Sequence, residues 1–381
     1  MTIGAVAIAV CSALVATAAI AVVSSPLASC RRGCRRFGNG KAPDRKAAPV
    51  SIVVVTAGYS ESMERNIRSI LSQDYPLTDL VVVATDGAAQ AETISERIGD
   101  PRLHTTYLPD SSRYLSRPKL AVTIGVKAAK EEWVIVMGDD CAPQTDGWLS
   151  AFAAGLSEDT KVALGYAGFS KGAPWGFCYD SMETALQMGC MARKGRPYKA
   201  AGPCVALRKS DFIGRDGFRG NLHVVGGVYD FLANKYAAAG ASEVVLAPAA
   251  RLDREACTRK ALRAETVSYR ETRKHLAGNF TYRTGWLLRS SALHLNYLCL
   301  LAAIAWSAAA GDWLVAAVSC TLLAATYTAK LFQASACKKA FRLPIPLWLV
   351  PFYEATSTLR RAKAAAAHFL SGKDTFSTHR L

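Results

Sequence analysis

Three long apolar stretches, each bounded by clustered arginine and lysine, limit this chain more than any other feature. Residues 3–23 are almost wholly apolar, 290–310 form a second run and 313–327 a third. About 20 apolar residues cross the hydrocarbon of a bilayer. Nothing positive except the amino terminus precedes the first run. Arg31, Arg32, Arg35, Arg36, Lys41, Arg45 and Lys46 follow it. That order fits an uncleaved anchor rather than a signal peptide, whose charge precedes its apolar core. Between the second and third runs, Ala310-Gly311-Asp312 carries no cation. Basic residues crowd from Arg254 to Arg289 before them, and at Lys338, Lys339, Arg342, Arg360, Arg361 and Lys363 after them. The positive-inside rule then puts residues 31–289 and the C-terminal tail in the cytoplasm at the inner membrane, and the short link outside. The competing reading is a buried helical hairpin in a soluble protein, since 313–327 is short for a span.

The chain has 46 Lys and Arg against 30 Asp and Glu, a formal charge of +16. Because this excess brackets the apolar runs and no recognition motif accompanies it, membrane lipids rather than nucleic acid are the expected partners. The 11 cysteines show no zinc-ligand spacing and read as reduced thiols. Cys30 and Cys34, beside the first run, are a weak acylation pattern. Residues 343–352 carry three prolines in an apolar stretch too short to span, which suits an interfacial segment. An amphipathic surface helix is expected from Thr358 to Leu370.

Between the apolar runs the periodicity changes. Val50-Ser-Ile-Val-Val-Val-Thr56 reads as a strand covered on both faces. Met63, Ile67, Ile70 and Leu71 recur at helical spacing behind a capping Ser60 or Ser62. Further strands are expected at 79–84, 104–108 and 133–137, with a helix over 117–130. Such alternation gives a doubly wound α/β sheet whose ligands bind at the carboxyl ends of the strands. Those ends carry Thr56, then Thr85-Asp86-Gly87, then Gly138-Asp139-Asp140-Cys141. There is no Gly-x-Gly-x-x-Gly after the first strand and no Gly-x-x-x-x-Gly-Lys, so neither dinucleotide nor P-loop chemistry is indicated. Acidic residues at two strand ends suit a divalent cation with a diphosphate, and oxygen ligands favour Mg2+ or Mn2+. Asp139-Asp140 taken alone would equally be a polar turn.

From Val50 to Leu276 the sequence resembles family 2 glycosyltransferases of the GT-A fold, a Rossmann-like, doubly wound mixed sheet. The first strand with Glu64-Arg-Asn-Ile-Arg-Ser-Ile-Leu-Ser-Gln-Asp-Tyr-Pro76 is similar to that family's first strand, helix and turn. Arg117-Pro-Lys-Leu-Ala-Val-Thr-Ile-Gly-Val-Lys-Ala-Ala-Lys130 leads to a DxD-like motif, followed by Trp148-Leu149. Gly202-x-x-x-Ala206-x-Arg208-Lys209-Ser210-x-Phe212 is similar to a segment shaping the acceptor side. The resemblance implies a nucleotide-sugar donor over the first two strands, with Thr56 and Asp86 on the nucleotide. It further implies Asp139 on the donor, Asp140 as the metal ligand, Asp230 as the base that deprotonates a lipid-linked or glycan acceptor, and inversion at the anomeric carbon. Arg273 is the expected phosphate contact, with Arg270 and Lys274 beside it. Membrane flanking is an equal reading for these cations.

Several positions depart from the family's pattern. Gly138 stands where the first acid of the triplet belongs, and Val228 and Tyr229 where two acids usually sit. The Gln-x-x-Arg-Trp motif of processive relatives is replaced by Glu271-Thr-Arg-Lys-His275, which points to a non-processive enzyme. His223 is a possible substitute base, although a structural histidine is the better reading. The domain expectation is an anchor over 1–27, a basic linker over 28–48, the GT-A domain over 49–285, a transmembrane hairpin over 286–330, and an interfacial segment with a basic tail over 331–381. The alternative function is a catalytically impaired relative that serves as a membrane partner or scaffold.

Overall fold

The computed structural model describes residues 3–30, 48–109, 116–169, 172–255, 258–371 and 376. Most of the expected basic linker, Cys34 included, lies outside the described residues. The chain divides into two compact units, one of residues 1–32 with 280–361, the other of residues 33–279 with 362–381. The tail after residue 361 therefore belongs to the unit that holds the α/β domain, and the boundary near the hairpin falls a few residues before the expected one.

The α/β unit is built on a seven-stranded mixed sheet in the order β3-β2-β1-β4-β8-β6-β9. β1 (Val50–Thr56), β2 (Leu77–Ala84), β3 (Leu103–Tyr107) and β4 (Trp133–Gly138) are parallel to one another. β8 (Cys204–Arg208) runs antiparallel to β4 and to β6 (Val162–Gly165), which pairs in parallel with β9 (Ser242–Val245). The β-branched runs form this sheet because both faces are covered. On one face Ile52 and Val54 pack with Met63, Ile67 and Ile70 of α2 (Glu61–Leu71) and with Trp148 and Phe152 of α5 (Trp148–Ala153), all buried. On the other face α4 (Arg117–Ala128) comes so close that a Cβ on Gly125 would collide with the Val53 side chain. Each fully buried Val, Ile or Phe contributes about 1.5–3 kcal/mol. Ser60 caps α2, its Oγ accepting from the Met63 N–H at 3.2 Å, and α3 (Ala88–Ile98) ends on Gly99 in the left-handed region at φ 64. In sequence α6 (Trp175–Lys194) precedes β8 and α7 (Lys209–Gly214) follows it.

Register sets the ends of the central strands level, with Thr56 opposite Ala84 and Val55 opposite Gly138. Just beyond them a second sheet forms from three-residue strands. β10 (Leu252–Arg254) lies between β5 (Cys141–Pro143), antiparallel to it, and β7 (Ala167–Phe169), parallel to it. Arg254 is registered opposite Cys141.

In the other unit, α1 (Ile3–Val23), α10 (Asn279–Ala310) and α11 (Trp313–Phe341) are the three described helices long and apolar enough to cross a membrane. At 1.5 Å per residue even the shortest is about 32 Å long. α11 runs well past residue 327, which removes the objection that the last apolar run is too short. Leu295, Leu298, Leu301, Trp306, Trp313 and Leu314 are exposed, as expected of side chains that face lipid. Behind them Lys330 is fully buried, donating to Glu354 Oε1 at 2.9 Å and to the Ala21 carbonyl at 3.1 Å. Ser25 donates to the same Glu354 oxygen at 2.6 Å. Buried charge inside a membrane unit requires such compensation. Cys30 is fully buried in this unit, which argues against its acylation. The proline-rich segment forms a short turn and α12 (Val350–Ala355). The expected tail helix is α13 (Ser357–Leu370).

Candidate active site

The level ends of β1, β2 and β4 bring Thr56, Asp86 and the Asp139-Asp140 pair to one edge of the sheet. The chain turns tightly there, with Thr85 N–H donating to Thr56 O at 2.8 Å and Asp86 N–H to Ala57 O at 3.1 Å. Asp86 is exposed and takes a hydrogen bond from the Thr85 hydroxyl at 3.2 Å. Arg117, at the start of α4, donates to the Thr85 carbonyl. Thr56 is buried; its hydroxyl donates to the Gly58 carbonyl at 2.9 Å and lies beside the Asp139 carboxylate. Burial pushes the Asp139 carboxyl above the ordinary aspartate range, the neighbouring Asp140 charge adds to that, and the Thr56 hydroxyl opposes it. Asn66 of α2 anchors the turn by donating to the Asp139 carbonyl at 2.8 Å.

Asp140 is held harder. Its Oδ2 accepts from Arg254 Nε at 2.6 Å, and its carbonyl accepts from the Glu255 N–H at 2.8 Å. Its Oδ1 accepts from the Cys141 thiol at 3.3 Å. The Arg254 side chain is only 16% exposed and lies over the Phe169 ring, 5.4 Å from its centroid. Its two terminal nitrogens meet Glu265 of α9 (Arg259–Thr272) at 3.2 and 3.1 Å. These two carboxylates raise the Arg254 pKa despite the cost of burial. Charge clustering alone makes Arg254 the first cation of a membrane flank. The structure instead places it on the metal-candidate carboxylate, because β10 is paired to the strand that follows Asp140.

The departures from the family pattern have a local cause. A Cβ on Gly138 would stand 2.5 Å from Asp140 Oδ1 and 3.5 Å from the Tyr229 hydroxyl. The space for a side chain at 138 is taken by the carboxylate two residues on, with the Tyr229 hydroxyl in ordinary contact range beyond it. The Tyr229 hydroxyl is pushed well above its ordinary pKa, first by burial and then by nearby Cys141, Asp140 and Asp139. Neighbouring helix residues point about 100° apart, so Asp230 of α8 (Val228–Tyr236) does not share this direction. Its Oδ1 accepts from the Ala200 N–H at 3.2 Å. Burial raises its pKa, Lys199 opposes, and Glu265 adds to the rise. Asp230 thus feels Glu265, which holds Arg254 on Asp140.

The loop before α8 is fastened from several sides. Lys119 of α4 is fully buried and donates to the Asn221 and Val224 carbonyls at 2.8 and 2.6 Å. Burial lowers its pKa to about 7. Gly227 has φ 78, and side chains at Gly226 or Gly227 would collide with Ser268 and Thr272 of α9. Val225 N–H donates to the Phe376 carbonyl at 3.1 Å, so the tail closes on this loop. His223 meets His275 edge to face, with centroids 5.2 Å apart, a packing contact of the kind a structural histidine makes. Arg273, half-buried in a single 3-10 turn, offers its carbonyl to Tyr198 Oη at 3.4 Å. Glu271, two residues earlier, accepts from Lys274 at 2.6 Å and His368 at 3.0 Å.

Whether these residues suit a divalent cation turns on their donors. Among the described residues no three His, Cys, Asp or Glu side chains gather into a cage. A hard cation that takes part of its shell from a diphosphate and water needs only one or two carboxylates, and Asp140 Oδ1 with Asp139 supply those. The residues fit such an ion.

A parallel sheet core, strand ends carrying acids, and an antiparallel extension define a nucleotide-sugar transferase fold of GT-A type. Residues 51–210 match the family model described as glycosyl transferase family 2, and the chain carries a domain of that family. Among solved structures it is similar to the mannosyltransferase PcManGT from Pyrobaculum calidifontis, determined in complex with GDP-Man and Mn2+. The likeness has a TM-score of 0.52 at 17% identity and covers 95% of this chain and 98% of that one. No curated protein matches the sequence.

Proposed function

We propose that the chain is an inverting, non-processive glycosyltransferase that moves a sugar from a nucleotide-sugar to a lipid-linked or polysaccharide acceptor at the cytoplasmic face of the cell membrane. The observation that carries this reading is the alignment of Thr56, Asp86 and Asp139-Asp140 along one edge of a family 2 domain, in a chain with three membrane-length helices. Asp86 contacts the nucleoside. Thr56 orients Asp139 toward the donor, and Arg273 meets the diphosphate. Asp140, with Asp139, would hold Mg2+ or Mn2+, which when bound neutralises the departing diphosphate. Asp230 takes the proton of the acceptor hydroxyl, and its raised pKa makes it a stronger base than a solvated aspartate. The mannosyltransferase likeness puts GDP-mannose first among donors to try.

A second reading is favoured by Tyr229, a neutral side chain where relatives carry an acid: the chain binds the nucleotide and serves as a partner of an active transferase. One experiment separates them. Detergent-purified protein is offered GDP-, UDP- and dTDP-sugars with Mn2+ or Mg2+ and a membrane extract as acceptor source, beside Asp140→Ala. Nucleoside diphosphate release that the variant abolishes supports the enzyme. Binding without release supports the partner, and no binding sinks both.

A further inference from the structure

We infer that Arg254 and Glu265 form a positioning pair that holds Asp140 as a one-oxygen ligand for a divalent cation, an inference that rests on the transferase reading above. Both residues lie beyond the matched segment 51–210. Arg254 donates Nε–H to Asp140 Oδ2 at 2.6 Å, so that oxygen is committed, and among the described residues Oδ1 is left with only the Cys141 thiol. Backbone pairing fixes the approach, because Arg254 is registered opposite Cys141 on one side of β10 and opposite Phe169 on the other. Glu265 completes the arrangement by receiving both terminal guanidinium nitrogens, so Arg254 cannot swing away without breaking three charge-assisted bonds. The Oδ1 edge lies along the Gly138 backbone, where an added Cβ would stand 2.5 Å from it. A carboxylate clamped at one oxygen by a partner that cannot move presents the other in a fixed direction, as residues outside a metal's own ligand set commonly do.

This arrangement predicts metal affinity directly. The full chain in detergent is titrated with MnCl2 alone, with GDP and with UDP, following loss of the electron paramagnetic resonance signal of free Mn2+. Asp140→Asn should abolish nucleotide-linked Mn2+ binding. Arg254→Ala should weaken it about 10–100-fold, the usual cost of losing such a partner. Arg254→Lys should not restore it, since a point charge cannot bridge two carboxylates. Glu265→Gln, an exposed and near-isosteric change, should weaken it several-fold and guards against a misfolded Arg254 variant. Mn2+ binding that is unchanged or tighter in Arg254→Ala and Glu265→Gln would overturn the inference, because the guanidinium would then be competing with the cation. Nucleotide binding by the wild type without any Mn2+ dependence would overturn it too, leaving the transferase reading intact. Wild-type protein that binds neither nucleotide nor Mn2+ would remove that reading and the inference with it.

Discussion

Gly138 and Asp140 exclude one another's side chains: the Asp140 carboxylate folds back to within 2.5 Å of where a Cβ at residue 138 would stand. The glycine is thus the condition under which the second acid can lie as it does. Asp140 is the far end of a side chain and could in principle give way, but Arg254 holds it. Gly138→Ala should therefore displace the carboxylate and lower nucleotide-linked Mn2+ affinity by about tenfold or more, in line with other losses of ligand positioning. Gly138→Asp, which restores the family's usual acid, should do no better. Calorimetric titration checks both, and a Gly138→Asp protein that binds as well as wild type would refute the steric account.

Asp230 makes opposite predictions for activity and stability. Asp230→Asn should lower turnover about 10²–10⁴-fold, the usual worth of a general base. Its folded pKa lies above the unfolded value because burial penalises the charge. Between those two values the folded state holds a proton that the unfolded state has lost, so wild-type stability falls as pH rises through the window. Asparagine carries no charge and can still accept from the Ala200 N–H. The variant should melt higher than wild type at neutral pH, with the gap closing toward acid. A melting temperature equal to wild type across pH would argue that Asp230 is solvated.

Lys119 should behave in the reverse sense. Its folded pKa of about 7 lies below the ordinary lysine value of 10.5. From pH 7 upward the folded state is the less protonated one, so this group adds to the fall in stability below pH 10.5 and relieves it as pH rises toward that value. Lys119→Met should flatten that rise. It should also cost about 1–3 kcal/mol for each carbonyl left without a donor, those of Asn221 and Val224. Thermal melts of both proteins at pH 7 and 9 test the slope as well as the loss.

In the membrane unit, Lys330→Met should destabilise by about 3–5 kcal/mol because it leaves Glu354 buried without its cation. Pairing it with Glu354→Leu should recover most of that loss. Unfolding in detergent of the two single variants and the double forms a complete cycle. Additive losses would show that the pair is not coupled.

The parallel half of the sheet is legible in the sequence because its strands are unbroken apolar runs, and Val50–Thr56 is read to the residue. Strand ends then place Thr56, Asp86, Asp139 and Asp140 at one edge without any contact being known. Two things resist such reading. Strands of three residues, such as Leu252–Arg254, carry no period to detect. The ion pair they deliver joins residues 114 apart in sequence, and an arginine among cations near a membrane helix offers no local sign of its destination. Tyr229 shows the same limit from the other side. Its place in the motif is visible, but only packing shows that the Asp140 carboxylate takes the space of a side chain at 138 and that the Tyr229 hydroxyl lies next to that space. The length of the last apolar helix is obscured by Lys330 and Gln333, which donate internally, Lys330 to Glu354 and the Ala21 carbonyl and Gln333 Nε2 to the Val22 carbonyl.

The bond from Val225 to Phe376, together with that from His368 to Glu271, gives the chain an order of assembly. Residues 48–279 leave the ribosome before either C-terminal membrane helix exists, yet the strap over the loop that leads into Gly226-Gly227 is encoded after both. The strap can close only once those helices have been synthesised. Nascent chains stalled before residue 368 should therefore already contain the seven-stranded sheet while leaving that loop open to protease, so maturation of the site waits on synthesis of a segment encoded more than a hundred residues later.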